Sequence, residues 1–177
     1  MILIASSELD KLIGEGKAKD RTDVSRTGIA LAVRKGAPHP DVSTPEALKR
    51  ALLAAKSIGH SAPAGGGITA LHIQKVFERL GIAEQVTPKV KLAAGGPNGR
   101  VSVLVASGQA EIGLQQFSEL ISNPDVEVIG LLPDTLQQIT INAAGITAIA
   151  MLAGAGFSAP ASICRTISAT RALAGAE

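Results

Sequence analysis

Hydrophobic and polar positions along the chain predict short buried strands that alternate with amphipathic helices. The strands are predicted where short apolar runs lie between polar or glycine-containing segments, at residues 1–5, 27–33, 57–60, 90–92, 110–114, 126–132 and 139–142. Apolar residues at helical spacing, such as Leu48 with Leu52 and Ile73 with Phe77, predict the helices between them. This alternation predicts βαβ units and a mostly parallel sheet flanked by helices, which is an α/β fold.

The start of the second long helix has two interpretations. Ser43 with Glu46 fits a capping box, whereas Thr44 as the cap would place Pro45 at the favoured first helical position. The sequence leaves both interpretations open.

The glycine-rich segment at residues 61–67 is predicted to be a loop that leads into the third helix.

The two ends of the chain have weaker patterns. A first helix is predicted after Ser6 or Ser7, one of which we expect to cap it, and the polar residues 17–26 are predicted to form a loop. Residues 143–177 are rich in Ala, Ser, Thr and Gly, and two loosely defined helices are predicted at 146–154 and 161–173.

Composition and charge narrow the function classes. Hydrophobic residues make up 46% of the chain and charged residues 18%, which is enough apolar side chain for a packed core. With three Phe and no Tyr or Trp, the chain lacks the aromatic faces that stack nucleic-acid bases, so we expect no nucleic-acid partner. The net charge of +2 combines a basic half, residues 1–100, with an acidic half, residues 101–177, which favours the attraction of small anions only weakly.

Candidate chemistry lies where predicted strands end. Glycine-rich turns let backbone amides approach a ligand, and helix N-termini favour anions there. The paired amides that follow the strand 110–114 could bind the same solute. The candidate ligand-binding residues are Ser61, Gly65, Gly66, Gly67, Thr69, Asn98, Gln115 and Gln116. The alternative is that the glycines only form tight turns and the glutamines only begin a polar loop.

Catalytic and metal-binding patterns do not emerge from the sequence. His60 beside Ser61 is interpreted as a histidine whose hydrogen bonds are satisfied at a strand end, and the three histidines have no metal-ligand spacing. Cys164 is the only cysteine, so no internal disulfide and no cysteine-based zinc site can form. We therefore expect no catalytic residues, no metal and no cofactor, and predict that the protein is not an enzyme.

A family resemblance accompanies these patterns. The runs TGIALAVRKGAP, STPEALKRALLAAKSIGHSAPAGGG and GQAEIGLQQ resemble the extracellular, or periplasmic, solute-binding proteins of the molybdate-binding type, which serve ABC transporters. The resemblance covers residues 1–145 approximately. It implies a type II periplasmic-binding fold with two α/β lobes, and a small anion such as an oxyanion or organic acid held in the cleft between them.

The resemblance also implies a domain organisation. Residues 1–26 resemble a remnant of the first lobe, residues 27–138 a complete second lobe, and residues 139–177 the return to the first lobe followed by an atypical tail. The candidate residues in 61–69, near Asn98 and at Gln116 lie where the family contacts its ligand. Relatives of the molybdate-binding type often carry Tyr at the position of Gln116.

The family's opening segment is absent from this sequence, which leads to the hypothesis of a truncated and frameshifted reading frame. The incomplete first lobe is then expected to favour self-association through exposed apolar surface.

The family implies a periplasmic location and an ABC permease as a membrane partner. Because residues 1–5 are too short for a signal peptide, a cytoplasmic location is expected if the chain is complete as written. The alternatives are a truncated non-binding remnant, an interaction module or, least favoured, an enzyme on the same fold.

Overall fold

The structure is a computed structural model that describes residues 1–94 and 100–147, with only the backbone described at residues 63–67. The strands are β1 (Ile2–Ala5), β2 (Ala18–Thr27), β3 (Ile29–Arg34), β4 (Ile58–Ser61), β5 (Val90–Ala93), β6 (Ile112–Gln116), β7 (Val126–Leu131) and β8 (Thr140–Thr147). The α-helices are α1 (Ser6–Gly14), α2 (Pro45–Ala54), α3 (Pro63–Arg79), α4 (Ala83–Val86), α5 (Val101–Ala106) and α6 (Phe117–Leu120). Two short 3-10 helices cover Thr87–Lys89 and Asp134–Leu136.

The described chain forms two compact units. One unit is continuous and spans Thr27–Ile139. The other combines residues 1–26 with the segment that begins at Thr140. The continuous unit holds the larger sheet and all the described candidate residues.

The sheet of the continuous unit has the strand order β5-β4-β6-β3-β7. β4 runs parallel to β5 and to β6, whereas β3 is antiparallel to both of its neighbours, β6 and β7. One strand therefore opposes the other four. This mixed sheet with flanking helices confirms the predicted α/β class.

Strand β3 is buried on both faces of this sheet. Its side chains alternate between two buried clusters, with Ile29, Leu31 and Val33 on one face and Ala30 and Ala32 on the other. The first cluster also includes apolar residues of α2 and α3, and the second includes residues of α5 and α6. Because both faces are covered, β3 reads in the sequence as a continuous apolar run.

The second unit contains a three-stranded sheet in the order β1-β8-β2. β1 pairs with β8 in antiparallel register, with Ile2 opposite Gly145 and Ala5 opposite Asn142. Leu9 of α1 is fully buried, and a Cβ atom at Gly145 would lie 2.6 Å from its Cδ1 atom. The glycine therefore allows α1 to pack closely on the sheet.

The prediction of a loop at residues 17–26 is wrong, because these residues form most of strand β2. All but the terminal residues of β2 are exposed, so the strand has no alternation of apolar and polar residues that would reveal it. The predicted cap at Ser6 or Ser7 is also wrong. Ala5 occupies the N-cap position of α1, and no side chain caps it.

The predicted loop at 61–67 is wrong as well. α3 begins at Pro63, which occupies the favoured first position of a helix, so the three glycines lie in its opening turns. For α2 the structure selects Thr44 as the cap, with its Oγ1 atom accepting a hydrogen bond from the Ala47 amide at 3.1 Å. At the other end of the chain, β8 includes residues 146–147, where a helix was predicted; the rest of the predicted tail helices lies outside the described residues.

No helix in the described ranges is long and apolar enough to cross a membrane.

Candidate functional site

The candidate site is built at the carboxyl ends of two neighbouring parallel strands. Ser61 is the last residue of β4, and Gln115 and Gln116 end β6. Because these strands are paired in parallel, their ends share one edge of the sheet. The Gln115 Nε2 atom donates a hydrogen bond to Ser61 Oγ at 2.6 Å, and both side chains are buried. Ligands of open α/β sheets bind at this kind of edge.

Gln116 extends the polar cluster toward α3. Its Nε2 atom donates to the Oγ1 atom of Thr69 at 3.0 Å. Thr69 is only 6% exposed, whereas Gln116 is half-buried. The end of β6 thus makes two polar pairs, Gln115 with Ser61 and Gln116 with Thr69, and the Gln116 backbone amide joins them by donating to Gln115 Oε1 at 3.1 Å.

Glu119 of α6 supplies the cluster's carboxylate. Its Oε2 atom accepts a second hydrogen bond from Gln115 Nε2 at 3.1 Å. Partial burial of the carboxyl group raises the pKa of Glu119, while the positive charge of Arg100 and the hydrogen bond from Gln115 act in the opposite direction. Arg100 is exposed and occupies the N-cap position of α5. The carboxyl group of Glu119 and the guanidinium cation of Arg100 thus lie close enough at this edge to interact electrostatically.

Strand β3 and the residues just before it fix the start of α6. The amide of Phe117 donates to the carbonyl oxygen of Gly28 at 2.8 Å, and the amide of Ser118 donates to Thr27 Oγ1 at 3.3 Å. These bonds satisfy backbone groups at the beginning of a short helix that has no side-chain cap of its own. They hold Glu119 one helical turn beyond Gln115.

His60 confirms the interpretation of a satisfied strand-end histidine. It is 2% exposed, and its Nδ1 atom lies 2.8 Å from the carbonyl oxygen of Ser61. Its ring packs against that of Phe77 in a T-shaped arrangement, with 6.0 Å between the ring centroids. Burial lowers the pKa of His60, which favours the neutral ring with its proton on Nδ1.

The structure brings together four of the eight residues expected from the sequence, namely Ser61, Thr69, Gln115 and Gln116. Gly65, Gly66 and Gly67 lie in the opening turns of α3 and not in a loop. Asn98 lies outside the described residues. The part of these residues in ligand binding stays a prediction.

Sequence reasoning missed Glu119. Its signal was its spacing, since it follows Gln115 by four residues, which places it about one turn after the end of β6 once α6 forms. The role of Thr27 was also missed, because a bond to an amide 91 positions away leaves no local pattern.

Comparison with known families shows which family the chain belongs to. A family model described as bacterial extracellular solute-binding protein matches residues 1–157. The chain belongs to this family. Similarity to an individual curated protein supports a common origin: residues of this chain are 38% identical over 144 positions to an aconitate isomerase from Pseudomonas sp., a match that covers 80% of this chain and 52% of that protein.

Solved structures share the fold. The substrate-binding domain of a putative molybdenum ABC transporter from Clostridium difficile superposes with a TM-score of 0.62 at 13% identity, over 82% of this chain and 62% of the other. The periplasmic molybdate-binding protein of Azotobacter vinelandii gives 0.60 at 19% identity, over 81% and 62%. The tungstate ABC transporter protein of Geobacter sulfurreducens gives 0.53 at 16% identity, over 82% and 62%.

The chain thus spans about half the length of the curated relative and less than two thirds of the length of these structures. At such low identity the structural neighbours establish the periplasmic solute-binding fold and leave the solute open.

Proposed function

We propose that the protein is a solute-binding component of an ABC-type uptake system and that it captures a small anion at the carboxyl ends of β4 and β6. The observation that carries this proposal is the hydrogen bond between Gln115 and Ser61, which joins polar side chains from two adjacent parallel strands at the edge where such sheets bind ligands. Family membership supports a binding role, and the molybdate- and tungstate-related neighbours support an anionic solute.

The chemistry of the cluster suits an anion. Hydroxyl and amide donors at Ser61, Thr69 and Gln116 provide hydrogen bonds without a fixed counter-charge, and Arg100 adds positive potential. The opening turn of α3, with Gly65, contributes backbone amides that lack helical partners. The solute class that fits is a small oxyanion or carboxylate, with a membrane permease as the partner and a periplasmic location, as in the family. Self-association stays a prediction.

Calorimetric titration tests the proposal. We expect the full chain to bind at least one of molybdate, tungstate, sulfate and trans-aconitate, and expect the combined Ser61→Ala and Thr69→Val variant to weaken that binding by about tenfold or more, since two hydrogen bonds to a charged ligand are lost. Ser107→Ala, which removes an exposed hydroxyl that follows α5, serves as the control and should bind like the unchanged protein. Equal binding by all three proteins would contradict the proposed site.

An isomerase is the second candidate, favoured by the 38% identity to a protein named aconitate isomerase. Moving a double bond along a carboxylic acid requires a group that removes and returns a proton. In the described site, Glu119 has a raised pKa and is exposed enough to meet a solute, whereas His60 is buried with Nδ1 engaged.

We propose binding without catalysis, and this choice has a direct test. When the protein is incubated with cis- or trans-aconitate and followed by proton NMR, we expect no interconversion above the rate in buffer. Interconversion that Glu119→Gln abolishes would establish the isomerase instead.

A further inference from the structure

The hydrogen bonds around Gln115 have a fixed direction. Its Oε1 atom accepts from the backbone amide of Gln116 at 3.1 Å, so the amide nitrogen must face the other way. That nitrogen has two hydrogens, and they are directed at Ser61 Oγ, at 2.6 Å, and Glu119 Oε2, at 3.1 Å. A carboxylate can only accept, so Glu119 reinforces the same orientation.

This direction determines what Ser61 can offer to a solute. A serine hydroxyl has one hydrogen and two acceptor lone pairs. Since one lone pair accepts from Gln115, the hydroxyl hydrogen is available to be donated elsewhere. Ser61 is 7% exposed at the end of β4, so a solute oxygen that it meets receives a hydrogen bond in a poorly hydrated place, where such a bond is strong.

We propose that Glu119 is a positioning residue for anion binding: by holding the Gln115 amide, it keeps Ser61 a hydrogen-bond donor toward the solute. This inference rests on the proposed function and deepens it. It also favours one solute class, because Gln115 already occupies one acceptor position of Ser61 and leaves its hydrogen to be donated, which suits an accepting atom such as a carboxylate or oxyanion oxygen.

Simple electrostatics predicts the opposite effect of Glu119. A carboxylate beside an anion site repels the anion, and it also offsets the positive charge of Arg100. If charge alone mattered, removing the carboxylate would tighten anion binding. The sign of the change therefore separates the two accounts.

The test is a set of calorimetric titrations of the full chain with molybdate, sulfate and trans-aconitate. We expect Glu119→Met, which removes the acceptor, to weaken binding by about three- to tenfold, the range of one lost hydrogen bond. Glu119→Gln retains an uncharged acceptor and should fall between Glu119→Met and the unchanged protein. Glu78→Met, which removes an exposed carboxylate from α3, is the matched control and should leave binding unchanged.

A second measurement links the effect to the hydroxyl. In a Ser61→Ala background, Glu119→Met should cause no further loss, because the group that it positions is already gone. Circular dichroism and thermal unfolding check that every variant is folded; if Glu119→Met does not fold, Glu119→Gln in the two backgrounds gives the same comparison.

The outcomes are distinct. Tighter binding by Glu119→Met, or a loss of the same size whether Ser61 is kept or replaced by alanine, would overturn the positioning role while the proposed function stands. Failure of the unchanged protein to bind any of the three anions would overturn the proposed function, and this inference with it.

Discussion

The side-chain amide of Gln137 binds the backbone of Ile29 as a residue of a neighbouring strand would. Its Oε1 atom accepts from the Ile29 amide at 2.8 Å, and its Nε2 atom donates to the Ile29 carbonyl oxygen at 3.0 Å. The same amide also bonds to the carbonyl oxygen of Leu132 at 3.3 Å and accepts from the Gln138 amide at 2.9 Å. One side chain thus ties the beginning of the continuous unit to its end.

We expect Gln137→Met to lower the free energy of unfolding by about 1–3 kcal/mol, because the amide of Ile29, a 2% exposed residue, loses its partner, whereas its carbonyl oxygen keeps the hydrogen bond from the Leu132 amide at 3.0 Å. Urea denaturation measures this change. Gln138→Met is the matched control: the Gln138 Oε1 atom is buried and has no hydrogen-bond partner among the described residues, so its replacement should be close to neutral or stabilising. Similar losses from both variants would contradict the account.

Gly113 of β6 is a site of close packing against α5. A Cβ atom there would lie 2.6 Å from Val105 Cγ2 and 2.8 Å from Val101 Cγ1. We expect Gly113→Ala to destabilise the protein by about 1–3 kcal/mol through overpacking. Adding Val105→Ala makes room, so the double variant should lose less than the sum of the two single losses. Additive losses, measured by thermal unfolding, would show that α5 moves away freely.

The cap of α2 offers a test between two neighbouring residues. Because Thr44 Oγ1 accepts from the Ala47 amide, we expect Thr44→Ala to reduce stability by about 1 kcal/mol. The Ser43 hydroxyl instead donates to the exposed side chain of Asp41 at 2.7 Å, so Ser43→Ala should have a smaller effect. Denaturant titration of both variants distinguishes them, and a larger loss from Ser43→Ala would favour the capping-box interpretation.

The stability of the protein should depend on pH through Glu119. Burial raises the pKa of Glu119 above its usual value of 4.5, so the ionised carboxylate is disfavoured in the folded state. Below that value the group is protonated in both states and there is no penalty; the penalty grows as the pH rises through the raised pKa.

We therefore expect Glu119→Gln to raise Tm by about 1–3 °C at neutral pH, a small change because the carboxyl group is only partly buried, and by nothing at about pH 3.5. Differential scanning calorimetry across this range measures it. A constant difference between the proteins at every pH would contradict the assignment to Glu119 ionisation. A variant that is more stable yet binds more weakly would separate the carboxylate's effect on folding from its effect on binding.

Arg100 should strengthen anion capture through its charge. We expect Arg100→Gln to weaken anion binding by about two- to fivefold at low salt, with a difference that shrinks near 1 M salt, where screening acts within about 3 Å. Arg79→Gln, which removes an exposed cation from the end of α3, is the control. A loss that persists unchanged at high salt would indicate a structural role for Arg100.

Much of the continuous unit could be predicted from the sequence because its elements are buried. The apolar run of β3 and the helical spacing of Ile73 and Phe77 both reflect packing into the same core, and packing is what a hydrophobic pattern records. The hydrophobic pattern does not show that β3 runs antiparallel to its neighbours. Strand direction depends on the path of the connections, which apolar spacing does not encode.

The polar parts were harder to predict for a related reason. β2 forms from exposed residues, and its pairing in the sheet comes from backbone hydrogen bonds that any sequence can make. The candidate site was predicted where residues end strands, as with Ser61 and Gln115. Glu119 was missed because it contacts the candidate residue Gln115 and belongs to no pattern of its own. That contact depends on the orientation of the Gln115 side-chain amide, which the sequence does not show.

The split composition of the β1-β8-β2 unit has a consequence for biosynthesis. β1 leaves the ribosome early, but its partner β8 is made only after the whole continuous unit, Thr27–Ile139, has been translated. The inserted unit can complete its own sheet in the meantime, since its strands all come from that stretch. In nascent chains stalled before Thr140, the continuous unit should therefore resist proteolysis, whereas β1 should still be unpaired.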